Sequence, residues 1–140
     1  GMEKEVIIKG YYPVEKVKKE YGSNESMLYM PIVNLWDKEA VATIQTFIKN
    51  FTPIAYELCF KDDANPNLKI IDEIAKSGSR IWMNTLWDSL CGGHDDENAL
   101  LESKDKHWGR MLKHKATMIR TDRPEEIIHY LEEKGLRDLE

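Results

Sequence analysis

Short apolar runs alternate along this chain with longer stretches whose apolar positions recur every three or four residues. The runs are Val6–Gly10, Leu28–Leu35, Pro53–Phe60, Arg80–Trp87 and Ala116–Thr121. Their shortness and their content of Ile, Val, Tyr and Trp predict strands rather than turns of buried helix. The intervening stretches carry helix signals. The first opens at Pro13, places Val14, Val17 and Tyr21 on one face and stops at Gly22. Asp37 is positioned to cap a second helix bearing Val41, Ile44, Phe47 and Ile48. Asn67 is positioned to cap a third with Leu68, Ile71, Ile74 and Ala75, ended by Gly78. Asp122, three residues before Glu125, has capping-box spacing ahead of Ile127, Ile128 and Leu131, with a stop at Gly135.

Strand and helix alternating at these lengths predict an α/β fold of five βα units around a parallel sheet. Right-handed crossovers then gather the C-terminal ends of all strands on one rim, where ligands bind in open sheets and barrels alike. Residues two apart on a strand share a face. Lys9 thus lies with Ile7, Asn34 with Ile32 and Met30, Glu57 with Ala55 and Cys59, Asn84 with Trp82, and Arg120 with Met118. Each strand places one polar group on an otherwise apolar face. Two arrangements fit: a ligand pocket, or a satisfied interior with a buried Lys9–Glu57 ion pair and hydrogen-bonded asparagines.

The stretch "SLCGGHDDENALL" follows the fourth run and so belongs to the rim. Its His94-Asp95-Asp96-Glu97 run precedes a helical Asn98–Leu101, and acids there cap free N–H groups and complement the helix dipole. Capping is the favoured role, ahead of contact with a ligand at the rim and well ahead of an autonomous metal site. His107, His114 and His129 fall on or beside helices, where surface positions are expected.

A chain of 140 residues is one domain, taken as 2–140, with a charge of −5 and no dense basic block. Nucleic-acid binding is not expected, and "EKVKKE" reads as a solvated helix face. Cys59 and Cys91 form neither a disulfide framework nor a zinc knuckle, and Cys59 fits a small buried hydrophobe. No run reaches the length of a membrane span. Gly1-Met2 looks like an expression scar or a start, which leaves a cytoplasmic chain and a trimmed exported one both open.

Two stretches, "RIWMNTLWDSLCGGHDDENALL" and "ATMIRTDRPEEIIHYLEEKGLR", resemble the end of the glycerophosphodiester phosphodiesterase family. Met83-Asn84 matches the Val-Asn that ends the family's penultimate strand, and Thr121-Asp122-Arg123-Pro124 matches its last strand motif. The "LWDSLCGGHDD" elaboration is similar to a subgroup found in gut bacteria, as are "VIIKGYYPVEKV" and "LYMPIVNL". One departure is Ile81-Trp82-Met83-Asn84, which moves the family's tryptophan one place, onto the other strand face. Another is larger. The His-Arg-Gly, the metal-binding carboxylates, the Glu-x-Lys strand and the second catalytic histidine have no counterpart here.

The resemblance implies strands four to eight of a TIM (β/α)8 barrel of about 250 residues. It implies a phosphoric diester hydrolase of glycerophospholipid metabolism, with Ca²⁺ or Mg²⁺ needed by the full-length family and no cofactor held by this chain alone. The chain by itself is then expected to be inactive, with no catalytic or metal-binding residue of its own. Lys9, Glu57, Trp82, Asn84 and His94 are the candidate substrate-binding residues, for a glycerophosphodiester or another phosphate-bearing small molecule. Lys9 is the expected phosphate contact, Asp122 the expected cap and Arg123 the expected brace of the rim. A non-catalytic phosphate- or polyol-binding module, or an assembly module, is the alternative. Five units leave two open edges, so a homo-oligomer or a missing N-terminal half is expected as partner. An open doubly wound monomer, with helices on both faces, is the competing architecture.

Overall fold

A computed structural model describes residues 2–22 and 28–137; 23–27 and 138–140 of the expected 2–140 domain lie outside the described residues. Five strands are present: β1 (Ile7–Gly10), β2 (Leu28–Asn34), β3 (Ala55–Cys59), β4 (Arg80–Asn84) and β5 (Met118–Arg120). They pair in sequence order, β1-β2-β3-β4-β5, and every pair is parallel. The sheet curls into a half-barrel, the partial α/β barrel expected from the sequence. A doubly wound sheet needs a reversal of strand order, and there is none.

The helices are α1 (Val14–Tyr21), α2 (Ala40–Asn50), α3 (Ile71–Lys76), α4 (Asp96–Leu101), α5 (Lys104–Lys113) and α6 (Pro124–Glu133). Their apolar sides cover the convex face of the sheet. Tyr29, Val33, Tyr56, Leu58, Ile81 and Met83 form one core with Val17, Ile44, Phe47, Ile74 and Met111. Burying each such side chain contributes roughly 1.5–3 kcal/mol, so this face supplies most of the driving force for folding. Phe47 stacks on Tyr29 at 6.2 Å and meets Tyr56 edge-on at 6.3 Å. The Tyr56 hydroxyl is buried there without a partner, and burial pushes its pKa up.

Several caps differ from the expected ones. α2 begins at Ala40, because Asp37 closes a turn instead: its N–H donates to the Asn34 carbonyl, and its own carbonyl accepts from the Ala40 N–H. Asn65, not Asn67, caps the 3-10 turn Pro66–Ile70 that leads into α3. Asn67 instead donates from Nδ2 to the Leu35 carbonyl, pinning this turn to the end of β2. α6 starts at Pro124 without a side-chain cap, and Asp122 contributes its backbone N–H elsewhere.

That N–H goes to Asp96. Oδ1 of Asp96 accepts from Thr85 Oγ1 at 2.6 Å and Trp108 Nε1 at 2.9 Å. Oδ2 accepts from Thr121 Oγ1 at 2.8 Å and the Asp122 N–H at 2.7 Å. One buried carboxylate therefore ties the end of β4, the first turn of α4, the middle of α5 and the β5–α6 turn together. Thr121 also accepts from the Arg123 N–H, so the Thr-Asp-Arg-Pro motif acts here as a turn that grips Asp96. Behind it, Gly109 gives α6 room: a Cβ there would lie 2.9 Å from the Tyr130 hydroxyl.

Two substitutions test this accounting. Asp96→Ala strands several buried donors and is expected to lower unfolding stability by about 3 kcal/mol or more in urea titrations. Tyr56→Phe removes an unpaired hydroxyl at nearly constant shape and is expected to leave the melting temperature unchanged or raise it.

Candidate functional site

The concave face of the sheet is built from the alternate residues that point away from the helices. Ile32, Glu57, Trp82 and Met118 align across it in one row, with Asn34 beside Cys59 and Asn84 beside Arg120. Lys9 Nζ reaches Glu57 Oε2 at 2.8 Å, Asn84 Nδ2 donates to Glu57 Oε1 at 2.8 Å, and Trp82 Nε1 donates to Asn84 Oδ1 at 3.1 Å. Four of the five candidate residues thus form one chain of hydrogen bonds. Glu57 and Asn84 are buried, whereas the Lys9 side chain is 37% exposed. An ammonium has three donors, so Lys9 can hold Glu57 and still offer hydrogens to an incoming anion.

Tyr11, just past β1, also belongs to this mouth. Tyr11 is largely exposed, its phenol stands near Cys59, Glu57 and Asn34, and its pKa is raised by partial desolvation first and by Cys59 and Glu57 next. It escaped the strand-by-strand reading because it lies one residue beyond the pairing. The aromatic pair Tyr11-Tyr12 following a strand end was the available signal. Cys59 is buried, and desolvation pushes its thiol to about 11; Cys91 goes to about 12 for the same reason. Neither is a ready thiolate nucleophile.

His94 stands apart from the other four candidates. Nε2 lies 3.0 Å from Asp63 Oδ2 and Nδ1 lies 3.2 Å from His107 Nδ1, so both ring nitrogens are engaged within the protein. Its neighbour Asp95 caps α4 by accepting from the Asn98 N–H at 2.7 Å. Gly92, at φ 67°, packs against Phe60, which a Cβ would approach to 2.8 Å. The rim loop after β4 is therefore a tightly seated cap.

His107 is buried and His114 half-buried, correcting the surface positions expected for them; His129 is exposed beside Glu133. The cause is α5, whose inner side faces the rim loop as well as the sheet. Asp63 gathers His94, His114 Nε2 at 3.3 Å and Arg110 Nε at 3.0 Å, the last an ion contact without hydrogen-bond alignment. Burial alone would raise the Asp63 pKa, but His94, the Arg110 guanidinium and His114 outweigh it and hold the carboxyl below its usual range. Burial holds His114 below the usual histidine range, against the pull of Asp63. Among the described residues, no group of three or more His, Cys, Asp or Glu side chains is placed to hold a metal ion, and no helix is long and apolar enough to cross a membrane.

A cavity of about 660 Å³ lies at the β5 edge between α5 and α6, lined chiefly by Leu112, Ile119, Ile127, Ile128 and Leu131. A crevice of about 230 Å³ opens at the ends of β1 and β2, beside Tyr11, Tyr12, Asn34 and Asp37. Along the concave face Met30, Ala55, Glu57, Cys59 and Asn84 are buried, and Ile32, Trp82 and Met118 are partly exposed.

The two depressed groups set an acid response. His114 binds its proton less readily when folded, so stability falls as pH drops through the unfolded histidine range near ~6.5. Asp63 contributes above the ordinary aspartate range, and that contribution is lost as pH falls through it and below. Urea midpoints measured from pH 7 to pH 3 are expected to decline in two stages, with His114→Gln reducing the first.

Comparison with curated proteins finds no match. Residues 29–131, from β2 into α6, match the DUF4996 family, described as a domain of unknown function. That span takes in Glu57, Trp82, Asn84, the rim loop and the Asp96 clasp, and by it the chain belongs to the DUF4996 family.

Proposed function

We propose that this chain forms the last five βα units of a glycerophosphodiester phosphodiesterase-like barrel, and that its concave face binds the phosphate-bearing ligand of that barrel. The observation that carries the proposal is the Lys9–Glu57–Asn84–Trp82 chain of hydrogen bonds on the inner face of a curled parallel sheet. Asn84 and the Thr121-Asp122-Arg123-Pro124 motif sit at the C-terminal ends of adjacent parallel strands, as the resemblance requires. The apolar cavity beside β5 fits a site where another βα unit packs.

In this proposal the residues present bind and orient. Lys9 offers a mobile positive charge to a phosphate oxygen, and Glu57, held by Asn84, fixes where that charge sits. Trp82 and Ile32 provide an apolar wall for the body of the ligand. Hydrolysis needs an acid and a base flanking the phosphate, and a hard cation needs several converging carboxylates. The described residues supply no such cation site, so the Ca²⁺ or Mg²⁺ of the family, and its histidine pair, would come from the other part of the barrel. A second copy of the chain is the alternative cover for the concave face.

Two measurements decide this. Glycerol 3-phosphate at ten times its Kd adds ~1.4 kcal/mol and is expected to raise the melting temperature by about 3–5 °C. The double substitution Lys9→Met/Glu57→Gln, which removes both charges and keeps the Asn84 bond, is expected to abolish that rise; no shift in the unaltered chain would count against the site. Glycerophosphocholine is expected to survive incubation with the chain and Ca²⁺, and turnover by the chain alone would overturn the assignment.

A further inference from the structure

The histidine pair behind the rim loop carries an inference that is independent of the phosphodiesterase proposal. His94 and His107 meet through Nδ1 at 3.2 Å, while each Nε2 faces a carboxylate: Asp63 at 3.0 Å and Glu102 at 3.1 Å. A carboxylate oxygen only accepts, so each Nε2 carries its hydrogen. Two neutral imidazoles own two hydrogens, and both are then committed to the outer contacts. The two Nδ1 atoms would be left with lone pairs opposed at hydrogen-bond distance. A third hydrogen turns that repulsion into a bond, with one Nδ1 donating to the other. A fourth would oppose two N–H groups instead.

We infer that His94 and His107 together hold three ring hydrogens, one positive charge shared between two rings, and that this proton fastens the rim loop to α5. The rings are 10% and 4% exposed, so little water is at hand to replace a lost bond. The surrounding charges agree. Asp63 comes from the loop after β3 and is faced by Arg110 and His114 of α5 as well as by His94. Glu102, between α4 and α5, is paired with Lys106 besides His107, and both partners hold its carboxyl below the usual range. The other nearby acids are occupied: Asp62 accepts from the Ala64 N–H, Asp95 caps α4 and Asp96 holds its four donors. Two carboxylates thus face the pair from opposite ends.

The consequence is a stability that peaks with pH. In the unfolded chain each imidazole titrates near ~6.5. Above that value folding takes up one proton, and the folding constant falls as pH rises; below it, folding releases one. The test is urea denaturation of the protein and of His107→Gln from pH 5.5 to 8.5. A Gln amide N–H can donate to the lone pair on His94 Nδ1, which leaves His94 neutral and needs no shared proton. The ratio of folding constants, protein over variant, is expected to stay level below ~6.5 and to fall by up to about tenfold per pH unit above it. Parallel pH curves would overturn the inference. Imidazole ¹⁵N spectra of the unaltered protein at pH 7 decide it even if the variant fails to fold. Both Nε2 protonated with a single Nδ1 hydrogen is the expected pattern; a bare Nδ1 pair, or an unprotonated Nε2, refutes it.

Discussion

Parallel neighbours joined in sequence order oblige each crossover to turn the same way, so the crossover helices gather on one side of the sheet. Much of the molecule follows from that constraint. The convex face buries Tyr29, Tyr56, Leu58 and Ile81 beneath α1, α2, α3 and α5. On the concave face the polar groups settle with one another: Glu57 takes Lys9 on one oxygen and Asn84 on the other. A buried ion pair of this kind contributes little net stability by itself, because desolvation offsets the attraction. Its value lies in fixing the positions of the groups.

The rim is organised by two carboxylates with different partners. Asp96 is satisfied by neutral donors and sits in the first turn of α4, where the helix dipole favours negative charge. Asp63 is satisfied by cationic or titratable ones. One clasp is indifferent to protons on its partners, and the other is governed by them. Both secure the same loop, whose Gly92 fits against Phe60.

The five strands, the parallel sheet and the polar group on each strand's inner face were legible because strand alternation and apolar runs are local signals. The Lys9–Glu57 pair followed from the same alternation. What escaped were contacts that depend on loops meeting across the fold. Asp63 is 31 residues from His94 and 51 from His114, and nothing in the sequence near it signals that it will gather them. Asp96 looked like one of several interchangeable acids at a helix start, and only the arrival of Trp108 and Thr121 singles it out. The histidines of α5 read as surface residues because helical spacing reveals which positions share a side, not that a loop will be laid over that side. Asp37 and Asp122 had capping spacing, but turns claimed their backbones first.

The terminal strands of the sheet are brief: four residues in β1 and three in β5. So short a border exposes few backbone groups, which makes it a poor template for endless stacking into fibrils. At β5 the hollow beside Ile127 and Leu131 adjoins that border, so backbone pairing alone would leave it unfilled. Brevity at the border thus limits how far strand addition could extend the half-cylinder.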